Sequence, residues 1–301
     1  MTEYTLFSGI RTVYRDLETF SECTSSPDRR DSLEVTCCVR GRCGYTTGQN
    51  CYYLGEGDVA VRRHSADETD PCFPTGHFKG ITFLLDPHAD KDGISGLLEG
   101  VDVHPKTLAD KFCGEDCFIF TAQGEMSELI AKLCSYAESG AVGRLRIKAL
   151  ELLIMLNDGD FVSTAKEHRC TAAQARTARA VCAFACSAMN EHYTVEQLSD
   201  KAGVKQSQLK GSFRAVYGCS VYAYIRRQKM YTAARLLAET DRTVLDIAVD
   251  LGYFNGGKFA KAFRQVIGIS PREYRLKNSD QMEHKPQSSR EFPEKTTIMN
   301  Y

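Results

Sequence analysis

The sequence predicts an α+β chain of two domains. The N-terminal part reads as a small β barrel or sandwich with trailing helices, and the C-terminal part as an all-α unit with two helix-turn-helix motifs. Three observations predict this. Short β-branched runs give way to a 3.6-residue apolar period near residue 90. A stretch of about thirty residues recurs in the C-terminal third. Charge is also divided unevenly along the chain.

In 301 residues the formal net charge is only −1, from 38 Lys and Arg against 39 Asp and Glu. Residues 174–277 hold 17 of the basic and 8 of the acidic side chains, a net of +9, which leaves 21 basic and 31 acidic elsewhere, a net of −10. A basic segment joined to an acidic one fits a polyanion-binding domain fused to a second function. The N-terminus lacks an apolar targeting segment, and the greasiest run, Ala149 to Leu156, is far too short to span a bilayer and contains Glu151. A cytoplasmic protein with no membrane partner is expected. Its 13 cysteines, odd in number and scattered, do not spell a disulfide scaffold.

Residues 1 to about 88 read as mostly β. Leu33–Cys37 and Asp58–Arg62 lie between the turn signals Gly41-Arg42-Cys43-Gly44 and Gly55-Glu56-Gly57-Asp58, and Phe78–Leu85 is a further strand. From about 90 to 157, helices are expected. Met126, Leu129, Ile130 and Leu133 form one stripe. Leu145, Lys148, Ala149 and Leu152 form another, widened by Leu153 and Leu156. These stripes must be covered by the β unit or by a second subunit, and the latter would make a homodimer. Residues 1–157 are thus assigned to effector binding and dimerisation, 158–173 to a polar linker, 174–277 to DNA binding, and 278–301 to a disordered tail.

The repeat aligns Val195-Glu196-Gln197-Leu198 with Val244-Leu245-Asp246-Ile247, and Gly203 with Gly252, at an offset of 49. After one inserted residue, Phe213-Arg214 aligns with Phe263-Arg264, Gly218 with Gly268, and Tyr224 with Tyr274. In each copy a short helix with an apolar face ends at a glycine, whose freedom to take positive φ starts a turn, and a second helix follows. That is a helix-turn-helix, whose second helix enters the major groove. The outward residues are Lys205, Gln206, Ser207, Gln208, Lys210 and Arg214 in the first copy and Asn255, Lys258, Lys261 and Arg264 in the second. Arg and Lys pair with guanine or phosphate, and Asn and Gln with adenine. Any one of these alone reads best as a solvated basic face; two repeated units point to DNA. Between the copies, Met230, Ala233, Ala234 and Leu237 mark a helix of roughly 25–27 Å, a strut able to place two reading helices along a duplex.

Segment 186–277 resembles the AraC/XylS DNA-binding domain along its whole length. The resemblance is carried by Leu209–Gly218, Lys229–Leu237, Asp246–Tyr253, Phe259–Arg264 and Gly268–Arg275, with Pro271-Arg272-Glu273-Tyr274-Arg275 the most specific run. Its details are similar to the branch that includes siderophore-responsive, pyochelin-type regulators. The resemblance implies promoter DNA and RNA polymerase as partners, and a cupin-like N-terminal domain that senses a small-molecule effector or dimerises. Three positions depart from the pattern: Lys229 replaces an arginine, Lys205 a helix-capping Ser, and Gly256-Gly257 a more polar pair.

Within the N-terminal part, His64, Phe73 and His77 are the candidate effector contacts, although the aromatic run Cys72–Phe78 reads better as a plug at one end of the β unit. No cofactor, metal or catalytic residue is expected. No His-x-His pair with a following glutamate lies on a strand, and neither Cys37-Cys38 nor Cys113…Cys117 has zinc-knuckle spacing. The alternatives are a cupin-type metal enzyme with a helical accessory domain, or an interaction module that presents a basic face to an acidic partner.

Overall fold

The computed structural model describes residues 1–17, 32–64, 71–86, 103–114 and 116–282. It divides into two compact units. One gathers Met1–Cys182 with Val195–Val221, the other Ala183–Thr194 with Tyr222–Tyr301.

In the first unit, β1 (Thr2–Phe7), β2 (Ile10–Leu17), β3 (Leu33–Gly41), β4 (Cys43–Thr47), β5 (Asn50–Leu54), β6 (Asp58–Arg63) and β7 (Phe78–Leu85) precede α1 (Pro105–Phe112). They are followed by β8 (Phe118–Thr121), α2 (Gly124–Glu138), α3 (Val142–Asp158) and β9 (Arg169–Thr171). Six strands form an antiparallel sheet in the order β1-β2-β7-β3-β6-β8, and β4-β5-β9 form a second, three-stranded sheet. Among the described residues neither closes on itself, so the barrel alternative of the sequence reading gives way to open sheets. Strand periodicity reports which face is buried, not whether the first strand meets the last.

The alternation of β3 separates its two faces. Leu33, Val35 and Cys37 join Ile81, Phe83 and Leu85 of β7 in a core covered by α2 and α3. Both expected helical stripes are in that core: Met126, Leu129, Ile130 and Leu133, then Leu145, Ala149, Leu152, Leu153 and Leu156. Lys148 sits at the edge of its stripe and pairs with Glu151 at 2.5 Å. The other face of β3 carries Glu34, Thr36 and Cys38, and here the sheet buries a charge pair. Arg62 Nη2 donates to Glu34 Oε2 at 2.6 Å, and its guanidinium lies 4.0 Å from the Tyr45 ring centroid. The Tyr45 hydroxyl donates to Thr36 Oγ1 at 2.8 Å, and Thr36 in turn reaches Glu34 Oε1 at 3.2 Å.

Two short strands lie where the sequence showed no period of 2. β8 adds Phe118–Thr121 to the edge of β6 inside the stretch read as helical. The segment expected as a bare linker, 158–173, buries Ala165 and contains β9, whose Cys170 is registered opposite Cys51. Three or four residues are too few to show an alternation, and their pairing is set by a distant partner strand.

After α4 (Ala172–Ser187), α5 (Val195–Ala202) and α6 (Gln206–Tyr217) form the first helix pair. Then α7 (Val221–Glu239) precedes the second pair, α8 (Val244–Asp250) and α9 (Gly256–Ile267), and α10 (Pro271–Met282) follows. In the second unit Met230, Ala233, Ala234 and Leu237 of α7 pack against Ile247, Ala248, Leu251, Phe259, Ala262 and Phe263. Helix α10 continues to Met282, past the expected start of the tail at 278; the rest of that tail lies outside the described residues.

Gly252 ends α8 with φ +78°, and a Cβ there would fall 2.5 Å from the carbonyl oxygen of Asn190. Left-handed backbone and this close approach both demand glycine. Gly252→Ala is expected to destabilise the second unit by about 2 kcal/mol or more, read as a lowered urea midpoint.

Candidate nucleic-acid interface

The two reading helices are built alike. In α6, Leu209, Phe213, Val216 and Tyr217 are buried, and Lys205, Gln206, Ser207, Gln208, Lys210 and Arg214 are all exposed. In α9, Phe259, Ala262 and Phe263 are buried, and Asn255, Lys258, Lys261 and Arg264 are exposed. Phe213 and Phe263, which the repeat aligns, are both fully buried. One helical face anchors each unit, so the polar face is held outward by the same packing.

The ends of these helices differ. At α6 the N-cap residue, Lys205, makes no side-chain cap, as expected from the loss of a serine there. At α9 the side chain of Asn255, an expected base contact, also caps the helix: its Oδ1 accepts from the Lys258 backbone N–H at 2.9 Å. This gives Gly256-Gly257 a fixed start. Asn255→Ala is expected to cost about 1 kcal/mol, read as a lower melting temperature with α9 the first element to exchange its amide hydrogens. Helix α8 has a similar cap, in which Thr243 Oγ1 accepts from the Asp246 N–H at 3.1 Å and donates to its carboxylate at 2.6 Å. The Thr-x-x-Asp spacing of Thr243 and Asp246 is a local sequence signal for this cap.

Lys229 is buried. Its Nζ donates to the Glu191 carbonyl at 3.2 Å and lies 6.0 Å from the Tyr253 ring centroid, and burial lowers its pKa. The lysine thus acts as a point donor to backbone where an arginine would present a fork.

On the first unit, Ser207, Gln208 and Arg214 share a cleft of about 640 Å³ with Arg42, Glu167, Arg169 and Gln174. In the sequence Arg42 belongs to the turn signal Gly41-Arg42-Cys43-Gly44. It sits between β3 and β4, and its partners on α6 are more than 170 residues away in sequence, so no local pattern marks it.

The three effector candidates are placed in two settings. His64, at the end of β6, has Nδ1 3.5 Å from Arg62 Nη2 and 3.9 Å from Glu34 Oε2, beside the buried pair. Phe73 and His77 belong to the loop before β7. Phe73 lies against the Phe78 ring, with centroids 4.8 Å apart, and His77 Nδ1 is 3.1 Å from the Thr75 carbonyl oxygen. Burial pushes the thiols of Cys43, Cys134 and Cys170 up to about 12, which suits packing rather than reactivity. Among the described residues no group of three or more His, Cys, Asp or Glu is placed to hold a metal ion, and no helix is long and apolar enough to cross a membrane.

Comparisons with known proteins match the C-terminal part of the chain. A family model described as a helix-turn-helix domain matches residues 198–277. The regulatory protein SoxS of Escherichia coli (strain K12) is 31% identical over 87 residues, which cover 29% of this chain and 81% of SoxS. A putative AraC-like transcription regulator of Streptomyces lividans is 36% identical over 83 residues, 28% of this chain and only 27% of that protein. Among solved structures, the DNA-binding domain of AdpA in complex with a target DNA aligns with 36% of this chain and 98% of its own, at 25% identity and a TM-score of 0.35. With four-fifths of SoxS matched and the duplicated helix pair in place, the chain belongs to the AraC/XylS family of DNA-binding transcription regulators.

Proposed function

We propose that the chain is a promoter-binding, ligand-responsive regulator that reads DNA with Lys205, Gln206, Ser207, Gln208, Lys210 and Arg214 of the first unit and Lys258, Lys261 and Arg264 of the second. The observation that carries this is the paired construction of α6 and α9: a fully buried phenylalanine on one side, cations and amides on the other. Side chains on such a face meet phosphates, which position, and base edges, which specify. Asn255 serves chiefly as the cap of α9, with its amide N–H₂ left to meet the duplex. In this reading the sheet-rich N-terminal part is a cupin-like effector domain, His64 contacts the effector beside Arg62 and Glu34, and Phe73 and His77 border its mouth. A homodimer, RNA polymerase as the downstream partner and a cytoplasmic setting complete the proposal.

Selection of duplexes from a random-sequence pool by the full chain, followed by binding at several salt concentrations, tests it. Enrichment of one sequence, with affinity falling steeply as salt rises, is the expected result, because each neutralised phosphate releases counterions. A pool that stays random through successive rounds contradicts the reading.

A further inference from the structure

The turn into the second reading helix carries an apolar side chain that the fold does not use. Phe254 is 86% exposed, the most exposed large apolar residue among those described. It stands one residue before Asn255, the cap of α9. An apolar residue at this position often packs back onto the fourth residue of the helix, here Phe259. Phe259 is fully buried, and its ring meets that of Tyr253 edge-on, with centroids 5.5 Å apart. Tyr253 thus takes the place against the core, and Phe254 is left outside. The repeat shows where the extra side chain comes from. Between turn glycine and cap the first copy has one residue, the half-buried Val204, and the second has two, Tyr253 and Phe254.

The start of α9 is otherwise bare. A Cβ on Gly256 would meet only the Leu245 side chain, 4.0 Å away, and one on Gly257 only the capping oxygen of Asn255, at 3.2 Å. Backbone without side chains can come close to a ligand. Lys258, Lys261 and Arg264 are exposed along the same helix. Lone apolar residues are common on protein surfaces, so the position of Phe254 is what gives it meaning. A recognition helix brings its N-terminal residues to base edges in the major groove. Those edges offer hydrogen-bonding groups and one apolar group, the 5-methyl of thymine.

We propose that Phe254 reads a thymine: its ring covers the 5-methyl group in the major groove and so selects that base at one position of the site. The proposal rests on the reading of α9 as a DNA-contacting helix. The cations of α9 pair with phosphate or guanine and do not sense that methyl group; an apolar ring does.

The test uses the full chain, wild type and with Phe254→Ala or Phe254→Leu, and a fluorescent duplex enriched by the wild type from a random pool. Each thymine is replaced in turn with uracil, which removes the methyl group and keeps the base pair and its hydrogen-bonding edge. At one position wild type is expected to bind about fourfold weaker, the worth of one buried methyl group. Phe254→Ala should melt like wild type, bind the thymine duplex at least that much more weakly, and lose nothing further with uracil there. Phe254→Leu, which keeps an apolar contact, should retain part of the discrimination. Wild type that prefers the enriched duplex to a scrambled one but ignores every uracil overturns the thymine contact and leaves the DNA reading intact. Phe254→Ala that keeps the uracil sensitivity does the same, and if its sedimentation changes as well, the ring is a contact between copies. Wild type that fails to discriminate between duplexes overturns the DNA reading, and the thymine contact with it.

Discussion

Replacing Lys258, Lys261 and Arg264 together with alanine is expected to weaken binding to a specific duplex by on the order of a hundredfold, with the melting temperature almost unchanged. All three side chains are exposed on α9, opposite Phe259 and Phe263, so the core of the second unit does not depend on them. Each phosphate-contacting cation supplies about one unit of salt slope, and an arginine that reads guanine contributes about 1–3 kcal/mol. The slope of log affinity against log salt should therefore become shallower by roughly 2–3. Fluorescence anisotropy across a salt series measures both quantities. A variant that binds like wild type while melting normally removes α9 from the interface.

The second large effect is on stability. Glu34→Ala leaves the Arg62 guanidinium buried without its carboxylate, and is expected to cost roughly 3–5 kcal/mol, a large share of a domain's total. The double variant Glu34→Leu/Arg62→Met removes both charges while keeping side-chain volume, and should recover most of that loss. Urea unfolding of both variants checks this. Equal losses in the two would mean that the site is held by packing and not by the pair. Because His64 lies beside the same two residues, any effector held there would also be lost in Glu34→Ala.

The two helix-turn-helix pairs were largely legible from sequence because their information is local and repeated. Val244, Ile247, Ala248 and Leu251 declare one face within two turns, and the aligned Phe213 and Phe263 declare it twice. The stripes of α2 and α3 were legible for the same reason, and the structure places both on the sheet. What escaped depends on distant partners. β8 and β9 exist because β6 and β5 offer free edges, which no window of three or four residues can report. The open sheets in place of a barrel are a matter of closure, to which alternation is blind. Asn255, expected at the bases from its chemistry, has a second role as the cap of α9, which its position before Gly256 and its spacing to Lys258 permit. Arg42 had no signal at all: a turn residue gives no hint that its side chain ends on a helix far along the chain.

Guanine-methylation interference on the enriched duplex tests most directly whether both helix pairs read DNA. Two clusters of interfering guanines, centred about one helical turn or 10–10.5 base pairs apart, are the predicted result. A single cluster, unchanged when Lys258, Lys261 and Arg264 are replaced, would contradict it.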